Sequence, residues 1–305
     1  MTVVTLGAHI VDVLARPVDA LPAGHDTVVV EQVRLAAAGS AAGTAVALAR
    51  LGNDVVSVGA IGDDDLGDLL TRMMSREGVD VSGLVRRTAD QTSASILPIR
   101  SDGGRPVLHA PGANRTLTSG AVDPGLLVAA DAVHVGGPDV VEGLSDPAFF
   151  HTLDTARASG TIVTMDVLSE APDLLEAASA FLPHVDYFLP NEQQALAMTG
   201  ASDPVTAARR LRDRGPRAVV VTLGEHGSLL VGPDGVDRLP AHKVDVVDTT
   251  GCGDAYCAGF ITGLLHGLAV RDAAQWGTAA AALVAADLGS GTGLATLGAL
   301  KALLP

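Results

Sequence analysis

An α/β fold is predicted for this chain: a doubly wound, mainly parallel sheet covered by helices, with a small β-sheet lid. Three observations predict it. Short Val/Ile/Leu runs alternate with Ala/Leu-rich stretches of helical period, the order that lays helices over a parallel sheet. The runs are nearly continuous in apolar character, as strands buried on both faces require. Two other segments break that pattern and read as half-exposed extended chain.

Taken in chain order, Val3–Leu6 is a buried strand. Thr27–Leu35 alternates valine with polar residues and is the first half-exposed segment. Ala41–Leu51 is a helix, Val55–Val58 a strand, and Leu66–Glu77 a helix stopped by Gly78. Ser93–Ile99 and Pro106–His109 form the second half-exposed patch, joined through Ser101-Asp102-Gly103-Gly104-Arg105, where Asp-Gly-Gly signals a hairpin turn. Ala132–Val135 and Ile162–Met165 are strands separated by a helix near Phe149–Ala158. Tyr187–Leu189 is a short strand before a helix at Glu192–Thr199. Pro204–Arg214 is a helix, Ala218–Thr222 a strand, and two long helices lie near Asp254–His266 and Asp272–Ala286. No linker and no internal repeat divides the chain. A single α/β domain over residues 1–305 follows, with lid segments at about 12–36 and 91–112 inserted in it.

At 305 residues and 48% hydrophobic, the chain can bury a substantial core. Its formal charge is −15, and its lysines are Lys243 and Lys301 alone. An acidic chain without a basic cluster is poorly suited to nucleic acid or anionic membrane. It can still hold a nucleotide, since backbone amides and a metal ion supply positive field locally. Cys252 and Cys257 have neither disulfide-framework nor zinc-motif spacing and read as small packing residues. The N-terminus lacks a basic region before its apolar run, and no run of about 18 apolar residues appears. A cytoplasmic protein is the expectation.

The most informative stretch is Asp248-Thr249-Thr250-Gly251-Cys252-Gly253-Asp254, running into an apolar helix. Gly251, Cys252 and Gly253 can aim successive backbone N–H groups at one point, and the helix N-terminus adds positive potential there. Such a point suits phosphate, or the charge that develops as a phosphoryl group moves. Asp254 is placed to take a proton from an attacking hydroxyl. The plainer account is a glycine turn with a capping Asp.

The whole string resembles the C-terminal signature of the ribokinase-like (PfkB) carbohydrate kinase family. Further segments resemble that family in order, from Gly7 to about Gly293. In Gly7-Ala8-His9-Ile10-Val11-Asp12, the family's spacing puts a hydroxyl-binding Asp at Asp12, where a solvated turn Asp is the local alternative; His9 is a loop residue near the pocket. Ala38-Gly39-Ser40-Ala41-Ala42-Gly43 resembles the family's glycine motif, implying substrate contact by Gly39, Ser40 and Gly43. It departs from the family at Gly43, where an asparagine often binds substrate. Some members, including those acting on phosphorylated sugars, carry lysine at the position of Ser40, so its absence points to an unphosphorylated substrate. Asn114 stands where relatives place a substrate-side asparagine, and Arg115 beside it is a candidate for phosphate charge or simply exposed. Asp63-Asp64-Asp65 reads as helix capping rather than a cation site.

Toward ATP and magnesium, the resemblance implies Asn191, Thr222, Gly224, Gly227, Thr249, Thr278, Ala282 and Gly289 around the nucleotide. Gln194 occupies the glutamate position of the family's Asn-x-x-Glu, which orders magnesium through water, and keeps an acceptor without the charge. Asp248 lies where some members hold a monovalent cation, which raises potassium as a further cofactor. Walker, dinucleotide, zinc-protease and esterase motifs are absent. The expectation is therefore ATP-dependent phosphorylation of a hydroxyl on a small sugar or sugar-like substrate. Asp254 would be the general base and Gly251–Gly253 the anion hole. A nucleoside kinase on the same fold is the second reading, against which the eight aromatic residues count. A non-catalytic sugar-binding relative is the third. Half-exposed lid strands with free edges predict a homodimer through the lid.

Overall fold

The computed structural model describes residues 1–286 and 296–304. In chain order the elements are β1 (Thr2–Gly7), β2 (Ile10–Arg16), β3 (Gln32–Ala38), α1 (Ser40–Arg50), β4 (Asp54–Gly62), α2 (Asp65–Arg76), β5 (Asp80–Arg87), β6 (Ala94–Pro98) and β7 (Leu108–Ala110). There follow α3 (Pro124–Ala129), β8 (Ala132–Gly136), α4 (Pro147–Ala158), β9 (Ile162–Asp166), α5 (Pro172–Ala178), β10 (Tyr187–Phe188), α6 (Glu192–Thr199) and α7 (Pro204–Arg212). The chain continues through β11 (Ala218–Thr222), β12 (Ser228–Gly232), β13 (Gly235–Leu239), α8 (Cys252–Leu265), α9 (Val270–Ala285) and α10 (Leu297–Leu303).

Nine strands form the main sheet in the order β13-β12-β11-β10-β9-β8-β1-β4-β5. All neighbours pair in parallel except at β12, which is antiparallel to β11 and β13. The continuous apolar character of β1 has a direct cause. Val3 packs into a cluster with α1, α8 and α9, while Val4 and Leu6 pack into one with α3, α4 and β8–β9 on the opposite face. Both faces are covered, so neither parity of the strand can be polar. Chain order reverses at β1, between β4 on one side and β8 on the other. Open α/β sheets place ligand sites at the carboxyl ends of strands beside such a reversal.

A separate four-stranded sheet has the order β3-β2-β6-β7. It is built from the two segments that broke the strand–helix pattern. The β6–β7 turn is closed by Arg100 N–H to Gly104 O at 2.9 Å and Gly103 N–H to Arg100 O at 3.0 Å, as Asp-Gly-Gly suggested. One expectation needs correction. The strand expected at Thr27–Leu35 starts at Gln32, because pairing with β2 ends at the Arg16–Gln32 register and Pro17 follows. Ile10–Arg16, placed for the most part in the lid segment but not read as a strand, pairs with both β3 and β6.

The small sheet sorts its side chains by pleat. The register Asp12–Ser95–His109 runs across β2, β6 and β7 on one face. The next row, Leu35–Val13–Ile96–Leu108, runs across all four strands on the other. Leu35, Ile96 and Leu108 are exposed, and Asp12 and Ser95 are buried. The polar row therefore faces inward, toward the carboxyl edge of the main sheet.

Candidate active site

The carboxyl edge of the main sheet, the inward row of the small sheet and the start of α8 enclose a cleft of about 1000 Å³. Each contributor arrives by a local cause. The turn before α8 places Gly251 at the helix N-cap with φ +79°, a left-handed conformation that glycine adopts without penalty. Gly253 and Asp254 thus fall in the first helical turn, both on the cleft wall. The Cys252 N–H turns back to Thr249 O at 3.3 Å, and its thiol reaches Ala281 O on α9 at 3.6 Å. Burial, then the nearby Asp248 carboxylate, pushes that thiol up to about 12, so it is no nucleophile at neutral pH. Of the three residues expected to form an anion hole, Gly251 and Gly253 line the cleft and Cys252 does not.

Asp254 lies deep in the cleft. Loss of water there, then the Asp166 and Asp12 carboxylates, push its proton affinity well above the ordinary carboxylate range. Across the cleft floor stands α1. A Cβ built on Gly43 would lie 2.1 Å from Asp254 Oδ2, so the glycine at 43 is what lets α1 and this carboxylate meet. Gly39, the α1 N-cap, and Ser40 line the cleft. Asp12 is buried, and burial raises its carboxyl to about 6, opposed by the Ser95 hydroxyl and Arg105 and helped by Asp248.

Among the cleft residues that sequence reasoning missed are Ser95, Arg105, His109 and Asp166. Arg105 leaves the β6–β7 turn and donates from Nη1 to Thr250 Oγ1 at 2.6 Å, and Nη1 stands 4.0 Å from Asp248 Oδ1. It ties the small sheet to the turn before α8. Among the described residues, five carboxylates line the cleft, those of Asp12, Asp166, Glu170, Glu192 and Asp254, against this one guanidinium. Burial lowers His109 and so disfavours its charged form. Only the hairpin signal pointed to Arg105, and no local signal marked Asp166, which ends a buried strand.

Asn191, Thr222, Gly224 and Thr249 line the cleft. So does Gln194, with its side chain committed: Oε1 accepts from Asn191 N–H at 2.9 Å and Nε2 donates to Val167 O at 2.9 Å. With Asn191 Oδ1 accepting from Gln194 N–H at 2.8 Å, the two form a capping box for α6. The remaining expected residues that the structure describes do not line the cleft. Asn114 is buried and accepts from His9 N–H at 2.9 Å. Gly227 has φ +84° and closes the β11–β12 turn, where a Cβ would strike Leu239 O. Thr278 donates to Ala274 O within α9, and Ala282 lies farther along that helix. Asp248 accepts from Thr250 N–H and Oγ1. Gly289 lies outside the described residues. Arg115 is exposed and away from the cleft. His9 is a loop residue between β1 and β2, next to cleft-lining Ile10, as expected; it is fully buried and bonded to Gly7 O and Ser57 Oγ, and burial lowers it to about 4. Asp64 caps α2 through Gly67 N–H, as expected.

The sequence matches the pattern of the pfkB family carbohydrate kinases over residues 2–297. This chain belongs to the pfkB family. The kinase is 31% identical over 275 residues to an ATP-dependent ribose-1-phosphate kinase of Halopiger xanaduensis, covering 90% of this chain and 88% of that one. It is 27% identical to a 2-dehydro-3-deoxygluconokinase of Bacillus subtilis, covering 85% and 83%. Among solved structures, a PfkB protein from Polaromonas sp. JS666 aligns with TM-score 0.80 and 28% identity, over 99% of both chains. A ribokinase of Arabidopsis thaliana complexed with ribose and ATP aligns with TM-score 0.83 and 22% identity over 99% and 97%, a likeness of fold. As a pfkB carbohydrate kinase, the enzyme is a phosphotransferase that phosphorylates a sugar hydroxyl with ATP.

The raised Asp12 carboxyl makes folding pH-dependent. Its folded-state affinity (about 6) exceeds the ordinary 3.8, so its ionisation opposes folding as pH rises through that window. Well below pH 3.8 the group is protonated in both states and costs nothing. Asp12→Asn, without sugar or nucleotide, is expected to gain stability over the native protein between pH 4 and pH 6.5, by at most about 3 kcal/mol, then plateau. Urea unfolding across that range measures it. A difference that stays flat with pH would show that Asp12 is not desolvated.

Proposed function

We propose that Asp254 is the general base of the transfer and that Gly251 and Gly253 present the backbone that faces the moving phosphoryl group. The observation that carries this reading is the deep carboxylate of Asp254 at the first turn of α8, beside the cleft-lining amide backbone. Its raised proton affinity suits a group that must take a proton near neutral pH. Asp12, Ser95 and His109 present acceptors and donors in one row of the small sheet, and this row is the proposed sugar-hydroxyl face. It supplies hydrogen bonds that Gly43 cannot. Five carboxylates against one guanidinium, among the described residues, favour an uncharged sugar over a phosphorylated one.

Bound ATP supplies the phosphoryl group, and magnesium offsets the charge of its phosphates. The cleft fits such a group: a Cβ at Gly253 or Gly224 would meet nothing within 4 Å, so backbone is open to close approach at both. Asn191, Thr222, Gly224 and Thr249 are the proposed nucleotide contacts. Because Gln194 is spent on capping, Glu192 is the carboxylate on that wall left to face magnesium. Arg105 is assigned to the charge at the turn before α8. Its side chain already spans from the small sheet to Thr250, so the small sheet acts as the lid over the cleft and excludes water when sugar binds. Potassium at Asp248 belongs to the same proposal, to be read from turnover with and without the ion.

The reading predicts that Asp254→Asn lowers kcat by about 10²-fold or more while MgATP binding changes little. ADP release across a panel of neutral sugars, sugar phosphates, keto-sugar acids and nucleosides, with ATP titration by calorimetry, tests it. Near-native turnover in the variant would remove Asp254 as the base. Saturable sugar binding with no turnover in the native chain would instead favour a sugar-binding relative.

The exposed apolar row Leu35–Val13–Ile96–Leu108 supports a homodimer through the small sheet, since a contiguous apolar strip on a soluble face is a costly thing to leave in water. Ile96→Lys should halve the sedimenting mass of the native protein. A native chain that already sediments as a monomer would contradict the dimer.

A further inference from the structure

Behind the cleft wall, three buried groups of different chemistry converge: the imidazole of His134 on β8, the carboxylate of Asp166 at the end of β9 and the thiol of Cys257 on α8. Their ligand atoms all lie within 4.8 Å of one another. His134 is fully buried, and its Nε2 has no hydrogen-bond partner among the described residues. Its other nitrogen is committed. Nδ1 contacts Thr164 Oγ1 at 3.0 Å, and that hydroxyl donates its proton to Val133 O at 3.4 Å. With the proton on Nδ1 and donated to that hydroxyl, Nε2 carries the bare lone pair that a metal ion needs. That lone pair points at Asp166 Oδ1, 3.5 Å away and itself an acceptor, from Gly137 N–H at 3.3 Å. In that tautomer two acceptors face each other in a desolvated place, an arrangement a cation between them would reconcile.

We infer that His134, Asp166 and Cys257 form a binding site for a borderline-soft divalent cation of the zinc class. The observed Nε2–Oδ1 separation matches the about 3.3 Å between two ligand atoms bonded at about 2.0–2.1 Å to one tetrahedral ion. Imidazole, carboxylate and thiolate together select zinc or cobalt over magnesium, which takes oxygen donors in octahedral array. Thr164 Oγ1, 3.0 Å from Nδ1, is in place to accept the Nδ1 proton of a metal-bound imidazole, the outer-shell support that ligating histidines usually have. The thiol must lose its proton to ligate. Burial and the Asp166 and Asp254 charges oppose that loss in the metal-free protein, and a dication at the site reverses the balance, releasing the Sγ proton to solvent. Three protein ligands leave a fourth tetrahedral position. Asp166 and Cys257 also line the cleft, so that position is open to water or to a cleft ligand. Neither the site nor its ligands depend on the assignment of Asp254 as base.

Cobalt(II) titrated into the full chain is the test, because a cobalt–thiolate bond gives a charge-transfer band in the near ultraviolet and a tetrahedral site gives intense visible bands. The expected result is one equivalent of cobalt with both features, displaced by zinc. Both should persist in Cys252→Ala. Cys257→Ala should lose the thiolate band, and His134→Phe should weaken cobalt binding at least about 10-fold. No thiolate band in the native protein, or a band that vanishes with Cys252 rather than Cys257, would overturn the proposal, and neither result needs the Cys257 variant to fold.

Discussion

The structure depends on the close approach of two helix starts, α1 and α8, over the carboxyl edge of the sheet. Gly43 is the contact point, since any side chain there would occupy the space of the Asp254 carboxylate. That approach brings the catalytic candidate to the end of the strands, with the turn backbone at one side and the small sheet at the other. It also crowds acid on acid. Asp166 and Asp12 raise the proton affinity of Asp254 through repulsion, on top of the larger effect of burial. A kinase with this cleft spends folding stability to hold carboxylates where their proton affinity is useful.

The small sheet serves that cleft in a way its composition hides. Its inward row is polar and its outward row apolar, the reverse of the usual arrangement for a sheet lying over a core. The polar row borders the ligand cleft, while Leu14 and Leu97 on the same inward face pack with Ala36 and Ile99. The same sheet carries Arg105, whose bond to Thr250 couples sheet position to the turn before α8. One side chain thereby joins the proposed sugar face to the proposed phosphate site.

Much of this was legible in the sequence. Buried parallel strands announce themselves by unbroken Val/Ile/Leu runs, and α6 and β11 were read with the bounds found, Glu192–Thr199 and Ala218–Thr222. Gly251 to Asp254 was legible because glycine, helix start and carboxylate are contiguous. Residues whose meaning comes from partners distant in sequence were not. Ile10–Arg16 pairs with a strand about 80 residues later, so nothing local marked it as sheet. Asn114 and Gln194 looked like ligand residues by position, yet their polar atoms bond His9, Asn191 and Val167. Asp166 gave no signal at all, because a carboxylate that ends a buried strand looks like a strand terminus until the tertiary fold sets it beside α8.

The central claim is that Asp254 accepts the proton from a site crowded with carboxylates, and the pH dependence of kcat/KM reports on that base in the free enzyme. Since Asp254 must be ionised to act, kcat/KM for the sugar at saturating MgATP should rise with pH along an acid limb well above the ordinary carboxylate range of about 4. Asp166→Asn removes the larger of the two neighbouring charges and should move that limb to lower pH. An acid limb near pH 4 in the native enzyme, or one that stays in place when Asp166 loses its charge, would contradict the account.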